Sequence, residues 1–370
     1  MGVTRDQVWA WRLRRQFVGA QAQAGAVAVV ERLCGVQAQV SSAAELAVAV
    51  RSATVTPNAV REALRSGRLM KTWAMRGTLH AVTPRFGAAA LSLLASARTW
   101  EKPVWQRNFG ASPAEVAALT DAVTRVLADG AVLTREELVG ALVADAAFRR
   151  LGDELRSGWG ALLKPLAWQG ALCHGPAQGS KVTFASPARL LPDWPGLPEP
   201  EAAAPIAITG YLAAYGPATP EAFDAWLTRG ALRKTTVRRW FSALGDRLTT
   251  VDVEGTPAYL LSEHADELAA TAPDYSVHLL GAFDQYVLGP GTADADLLPT
   301  RHRAEVSRAA GWISPLVVVG GRIAGTWELS DDTVLLSMFD GAPLPGPGLD
   351  AAVDRLAKAC GRTSLAVRAG

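Results

Sequence analysis

The sequence predicts an α+β fold made of three similar helix-rich units and a small β-rich C-terminal domain. Three observations carry this. A pattern of helix, turn, helix and Gly-turned hairpin recurs three times, with turn glycines at 77, 179 and 255. A Pro-rich stretch, Leu191 to Pro200, separates the second and third copies. After about Ala272 the chain turns to β-branched and aromatic residues with Gly turns. Helix, turn, helix, hairpin is the winged-helix arrangement. The expected fold is therefore three tandem winged-helix motifs followed by a β-rich domain read as a partial barrel. The unequal spacing of the glycines means related modules with insertions, not a strict solenoid.

The elements follow in order. Residues 1–85 hold an N-terminal helix and the first module. Gly35 can end one helix, and Ser42 with Glu45 reads as a capping box starting another near residue 43. Val36 to Ser41 is then a short non-helical link. Residues 86–130 read as two connecting helices, in which Gly87 to Ala97 is apolar but too short to span a membrane. The second module covers 131–190, where Thr134-Arg-Glu-Glu137 is a capping box. A linker at 191–204 leads to the third module, 205–265. There Pro220 sits where a helix start tolerates it, and Thr235 and Thr236 can cap the next helix. Val237, Trp240, Phe241 and Leu244 share one face of that helix, leaving Lys234, Arg238 and Arg239 off it. The β-rich domain is placed at 272–345, with Gly320-Gly321 as a tight two-residue hairpin turn. A last helix, Asp350 to Cys360, lies in 346–370.

Composition narrows the function. With 370 residues, 49% hydrophobic and 19% charged, the chain has ample core material, which excludes disorder as the dominant state. No run of about 18 apolar residues occurs, and Met1 to Asp6 opens no signal-type segment. Cys34, Cys173 and Cys360 are odd in number and far apart, which points to a reducing, cytoplasmic setting without disulfides. Net charge is only +2, yet basic residues cluster: six against one acidic from Arg61 to Arg85, and again from Arg229 to Arg247. No phosphate-binding Gly loop, zinc spacing or nucleophile-elbow serine appears. No cofactor and no metal are expected.

The link after Gly35 carries Gln37-Ala38-Gln39. In extended backbone, residues two apart point to one side. In a helix they would diverge by roughly 200°. Two amides on one side, each donating and accepting, can hold a water or a base edge. Spacing alone leaves the plainer alternative of two solvent-facing loop glutamines open.

Together, Gln37-Ala38-Gln39, Met75-Arg76-Gly77-Thr78-Leu79-His80, Gly281-Ala-Phe-Asp284-Gln-Tyr286-Val-Leu-Gly289 and Gly325-Thr-Trp327 resemble the motifs of the AlkZ and YcaQ group of bacterial interstrand-crosslink DNA glycosylases. The resemblance covers nearly the whole chain. Many relatives carry Asp where this chain has Gln39, so the sequence is closer to the crosslink-selective branch. The resemblance implies a C-shaped arrangement of the modules. It implies excision of N7-alkylguanine from double-stranded DNA and unhooking of azinomycin-type crosslinks, giving self-resistance to a DNA-alkylating natural product. Gln37 and Gln39 would be the catalytic pair. Arg76, His80, Lys234, Arg238 and Arg239 are candidate DNA contacts, and the Gly320-Gly321-Arg322 turn is a candidate minor-groove probe. Lys71 is the only lysine near the first module and nothing in the sequence activates it, so the expected enzyme is a monofunctional glycosylase; with three modules in one chain and no heptad segment, it is expected to act as a monomer. The competing readings are a non-catalytic regulator, which would usually dimerise on paired half-sites, and an adduct-sequestering protein.

Overall fold

A computed structural model describes the whole chain, Met1–Gly370. It opens with β1 (Gly2–Val3) and α1 (Arg5–Arg15). The first unit follows: α2 (Ala26–Arg32), β2 (Val36–Gln37), α3 (Ser41–Ala49), α4 (Ala59–Arg65), β3 (Met70–Trp73) and β4 (Leu79–Val82). Three helices connect it onward, α5 (Pro84–Ser96), α6 (Pro103–Phe109) and α7 (Pro113–Val126), where the sequence suggested two. The second unit is β5 (Leu133–Thr134), α8 (Arg135–Val143), α9 (Gly152–Arg156), α10 (Leu163–Trp168), β6 (Cys173–His174) and β7 (Thr183–Ala185). After α11 (Pro187–Leu190) and α12 (Pro200–Tyr215), the third holds α13 (Pro220–Thr228), α14 (Lys234–Ser242), β8 (Leu248–Val253) and β9 (Thr256–Leu261). Then come α15 (Ala265–Ala269), β10 (Val277–Leu280), α16 (Gln285–Leu288), α17 (Arg303–Val306), β11 (Leu316–Val319), β12 (Arg322–Ser330), β13 (Thr333–Met338), α18 (Leu349–Ala359) and β14 (Ala366–Ala369).

Helix, helix and hairpin thus recur in order three times, but the hairpins are not independent. Those of the first two units fuse into one six-stranded sheet, β2-β4-β3-β6-β7-β5, through the pair Lys71–His174. The N-terminal segment, expected with the first unit, belongs to the third: β1 pairs in parallel with β8. The C-terminal sheet, β10-β11-β12-β13-β14, stays open at both edges, and its last strand lies beyond the final helix.

Local signals explain much of this. Thr134 and Glu137 form the capping box the sequence suggests. Pro220 is at the first helical position, with the Thr219 side chain accepting from Ala222 N–H. Val237, Trp240 and Phe241 are buried on one face of α14. Thr235 and Thr236 do not cap that helix, which starts a residue earlier at Lys234 behind Arg233.

The C-terminal domain is tied to α3 by one enclosed ion pair. Arg51, just past the end of α3, sets Nη1 2.8 Å from Asp284 Oδ2 and Nη2 2.7 Å from Oδ1, with neither side chain exposed. Asp284 Oδ1 also accepts from Tyr286 N–H at 2.8 Å, starting α16. The glycines flanking this motif mark close approaches. A Cβ on Gly281 would lie 2.9 Å from the Leu46 side chain, and one on Gly289 2.1 Å from the Tyr215 ring. The Trp327 indole N–H donates to Leu280 O at 2.8 Å, locking β12 onto the same joint.

Breaking a buried pair by removing one partner leaves an uncompensated charge. Asp284→Ala is expected to lose about 3–5 kcal/mol of stability. The apolar double replacement Arg51→Met with Asp284→Leu should recover most of it. Chemical-denaturation curves test this, and a loss below about 1 kcal/mol for the single variant would deny the pair its role.

Candidate active site

The Gln37–Gln39 link is set by how α2 stops. Cys34 N–H donates to Glu31 O at 3.0 Å and Gly35 N–H to Val30 O at 2.8 Å, the paired closure of a Schellman end. Cys34, not Gly35, takes the first left-handed position, at φ +54°. The chain then runs extended as β2, and Ala38 N–H donates to Leu79 O at 2.7 Å. Val36 and Ala38 enter the core under α2, α3 and α4, whereas Gln37 and Gln39 take no part in it. The alternation expected of an extended link holds as far as β2 runs, to Gln37; Gln39 lies beyond the strand in a bend.

The capping box expected at Ser42 and Glu45 does not form. α3 starts at Ser41 behind Val40, which offers no side-chain acceptor. The Glu45 carboxylate instead accepts from Val60 N–H at 3.0 Å and Arg61 N–H at 2.8 Å. It caps α4 rather than its own helix. A Glu one turn into a helix serves whichever free N–H groups the tertiary fold brings closest.

Gln37 is 7% exposed and Gln39 is exposed. The Gln37 amide forms no hydrogen bond within the chain, yet neither of its polar atoms is fully enclosed, so both reach the surface. Directly opposite Gln37 on β4 is His80, and opposite His80 on β3 is Thr72. Opposed residues share a sheet face, so the three side chains form one row. His80 has no exposed surface. Its Nδ1 lies 2.9 Å from Thr78 O. A carbonyl only accepts, so Nδ1 carries the proton and Nε2 is an acceptor. Burial, with the nearby Arg76 charge adding to it, pushes the imidazole pKa down to about 3. His80 is therefore neutral at physiological pH.

The candidate DNA contacts are placed differently from the sequence expectation. His80 is too enclosed to touch DNA, and its place is the wall behind Gln37. Arg76 turns its guanidinium inward, donating from Nη1 to Trp226 O and Leu288 O at 3.2 Å each, with Nη2 enclosed. Burial pushes its pKa down to about 10. It is a strut between units rather than a phosphate contact. Lys234, Arg238 and Arg239 are exposed on α14, but Arg238 is paired with Glu221 and Arg239 with Glu201, both at 2.7 Å. Gly320 and Gly321 both have positive φ, the tight turn expected. The turn packs inward: a Cβ on Gly321 would lie 2.4 Å from Trp9 Cβ, and Gly321 O accepts from the Tyr286 hydroxyl at 2.5 Å. Arg322 is exposed beside it, with its guanidinium over the Trp9 ring.

Three features lay outside the sequence reading. Thr72 was legible in principle, since the turn at Gly77 sets the hairpin register that opposes it to His80. Lys164 packs near Gly77 and feels the charge of Arg229, so cations from the second and third units meet at the tip of the first hairpin. That meeting is tertiary and leaves no local signal. A cleft of about 520 Å³ opens beside α3, lined by Val40, Ser42, Leu46, Trp312 and Trp327 among others. Lys71 lies on the sheet face opposite Gln37, in a separate cavity of about 360 Å³ with Arg61, Arg65 and His174. Burial lowers its pKa.

Residues 30–362 match the model of a family described as DNA glycosylase AlkZ-like. The chain belongs to the AlkZ-like DNA glycosylase family. It is 52% identical over 364 residues to the interstrand DNA cross-link repair glycosylase of Streptomyces sahachiroi, covering 98% of each chain. It also superposes on the solved structure of the Streptomyces sahachiroi DNA glycosylase AlkZ, with TM-score 0.96, 50% identity and full coverage of both chains. The AlkZ-like fold therefore extends over the whole molecule, the mixed α+β architecture included.

The buried histidines of this AlkZ-like chain give it a pH signature. Burial holds His80 and His174 down to about 3 and His278 down to about 4. An unfolded histidine titrates near 6.5, so the unfolded state takes up protons first as pH falls. Stability should decline below about pH 6.5, by up to about 1.4 kcal/mol per pH unit for each histidine, and level off towards their folded pKa values. His302 runs the other way: bonding to Glu305 raises its pKa, so its contribution is present below 6.5 and lost as pH rises. Denaturation midpoints between pH 4 and 8 test this; a flat profile from 6.5 to 5 would contradict it.

Proposed function

We propose that this protein is a monofunctional DNA glycosylase that releases N7-alkylguanine from double-stranded DNA and unhooks interstrand crosslinks of the azinomycin type. Such an activity would protect a cell that makes or meets a DNA-alkylating natural product. The observation that carries the proposal is the Gln37–Gln39 edge: two amides two residues apart, one largely buried against the sheet without a partner in the chain and one exposed.

Alkylation at N7 makes guanine cationic, which weakens its glycosidic bond. The base then leaves neutral and needs no general acid. The enzyme has to place a water and stabilise an oxocarbenium-like sugar. Gln does not ionise near neutral pH and is a poor base, but it orients a water and turns its carbonyl dipole to growing positive charge. Such a pair suits labile cationic lesions and should leave normal guanine intact.

A crosslinked base cannot swing fully into a deep pocket as an ordinary flipped base does. An open arrangement that brings the glutamines to the duplex meets this constraint, and β2 is the edge strand of its sheet. Half-buried Lys164 with exposed Arg229 and Lys234 supply positive charge for phosphate contact on this reading. The apolar cleft beside Val40 gives room for a bulky adduct. Lys71, across the sheet from Gln37, is badly placed to attack the sugar, which supports hydrolysis without strand cleavage. No cofactor enters the scheme, and one chain supplies every group, so a monomer suffices.

The test is base release from duplexes carrying a defined N7-alkylguanine monoadduct or crosslink. Gln37→Ala and Gln39→Ala should each lose at least about tenfold in rate while duplex binding stays within about threefold. Lys71→Ala should release base normally, and borohydride should trap no protein–DNA adduct with wild type. Full release by both glutamine variants would move the site elsewhere. No release by wild type, with binding intact, would turn the reading to a regulator or a sequestering protein.

A further inference from the structure

The row Gln37–His80–Thr72 contains more unmet hydrogen-bonding capacity than a sheet face normally keeps. His80 Nε2 and Thr72 Oγ1 are both fully enclosed and have no partner within the chain. Buried polar atoms are almost always satisfied, and those that are not call for an explanation. These two are neighbours: their residues oppose each other on β3 and β4, and His80 opposes Gln37 on β2.

The register brings the side chains close. The bond from Ala38 N–H to Leu79 O makes Gln37 and His80 a non-hydrogen-bonded pair, whose Cα atoms lie about 4.5 Å apart. Thr72 stands one strand further, about 5 Å on.

We propose that Thr72 and His80 are positioning residues that hold a water against the Gln37 amide and thereby fix which end of that amide faces the substrate. The chemistry of the donors sets the direction. His80 Nδ1–H is committed to Thr78 O, so Nε2 only accepts. The Thr72 hydroxyl can donate to a water, and the water donates to Nε2. The same water accepts from the Gln37 NH2 group, giving it three polar partners, enough to be retained. Gln37 then has its NH2 end turned inward and its carbonyl oxygen outward. That oxygen is the end that accepts from a nucleophilic water and faces a developing oxocarbenium. Without the row, the amide is free to flip, and half of its orientations present N–H groups to a positive charge.

The proposal rests on the reading of Gln37 as part of the catalytic pair, and the test separates the two. Base release is measured for wild type, Gln37→Ala, Thr72→Val, Thr72→Ser, His80→Leu and His80→Gln, with kcat and KM determined separately. Thr72→Val removes a buried hydroxyl that has no protein partner, so a purely structural role predicts equal or higher thermal stability with unchanged kcat. The positioning role predicts a fall in kcat of about tenfold at unchanged KM and undiminished stability. Thr72→Ser should restore the rate. His80→Gln, which keeps an acceptor in the place of Nε2, should retain more activity than His80→Leu. Thr72→Val added to Gln37→Ala should cost nothing further, since both act through one amide.

If Gln37→Ala loses activity while Thr72→Val and His80→Leu keep wild-type kcat, the positioning proposal is wrong and the Gln37 assignment stands. If Gln37→Ala is fully active, both fall. Should His80→Leu fail to fold, the Thr72 pair and the double variant decide alone.

Discussion

The Arg51–Asp284 pair is the constraint on which the candidate site depends. Both side chains are fully enclosed, and the pair is bidentate. Desolvating two charges is expensive, and the Coulomb term offsets it only if the geometry holds. Here it is held from both sides: Arg51 Nη1 also donates to Ala47 O, and Asp284 accepts from Tyr286 N–H. The consequence reaches the far end of α3. This helix is a nine-residue rod, about 13.5 Å long, with Arg51 just past one end and Gln39 two residues before the other. Fixing Arg51 on the C-terminal domain therefore fixes where the Gln37–Gln39 edge points. The C-terminal domain positions the site from behind, whether or not it meets a ligand itself.

The same logic explains which parts of the fold were legible in the sequence. Signals that act within one turn were readable: Thr134 with Glu137, Pro220, the apolar face of α14, and the Gly320-Gly321 turn all form as their chemistry dictates. Signals with two eligible partners were not. Ser42 and Glu45 had the spacing of a capping box, but Glu45 found the free N–H groups of α4 instead. Nothing in the local sequence says that α4 will start beside it. The N-terminal strand likewise has only two residues, and its pairing with β8, some 250 positions away, is a purely tertiary choice.

The candidate site divides along the same line. The extended link that carries Gln37 and Gln39 was legible because Gly35 ends the helix before it, and the core takes Val36 and Ala38 as an extended backbone requires. The basic candidates were less so. Charge is readable, but its direction is not: Arg76 spends its guanidinium on two carbonyl groups between units, and Arg238 and Arg239 each meet a glutamate. Lys164, unremarked in the sequence, and Arg229 of the second basic cluster come near each other only when the second and third units close around the first hairpin.

A feature of the chemistry follows from what surrounds Gln37. Every side chain in its row is neutral: Gln37 and Thr72 do not ionise in this range, and burial holds His80 neutral down to about pH 3. A carboxylate in this position would be a stronger base and a stronger partner for an oxocarbenium, and it would also attract the cationic N7-alkylguanine before any bond breaks. Charge that stabilises the ground state as much as the transition state adds binding without adding rate. A neutral dipole, fixed in direction, interacts weakly with a cation some distance off and more strongly with charge that develops against it. The value of such a dipole depends on its orientation, because a flipped amide reverses its sign. On the role proposed for Gln37, an enclosed, single-tautomer histidine beside it would be useful in a way that an ionisable one would not: it would keep the field at the reacting carbon constant across the whole physiological pH range.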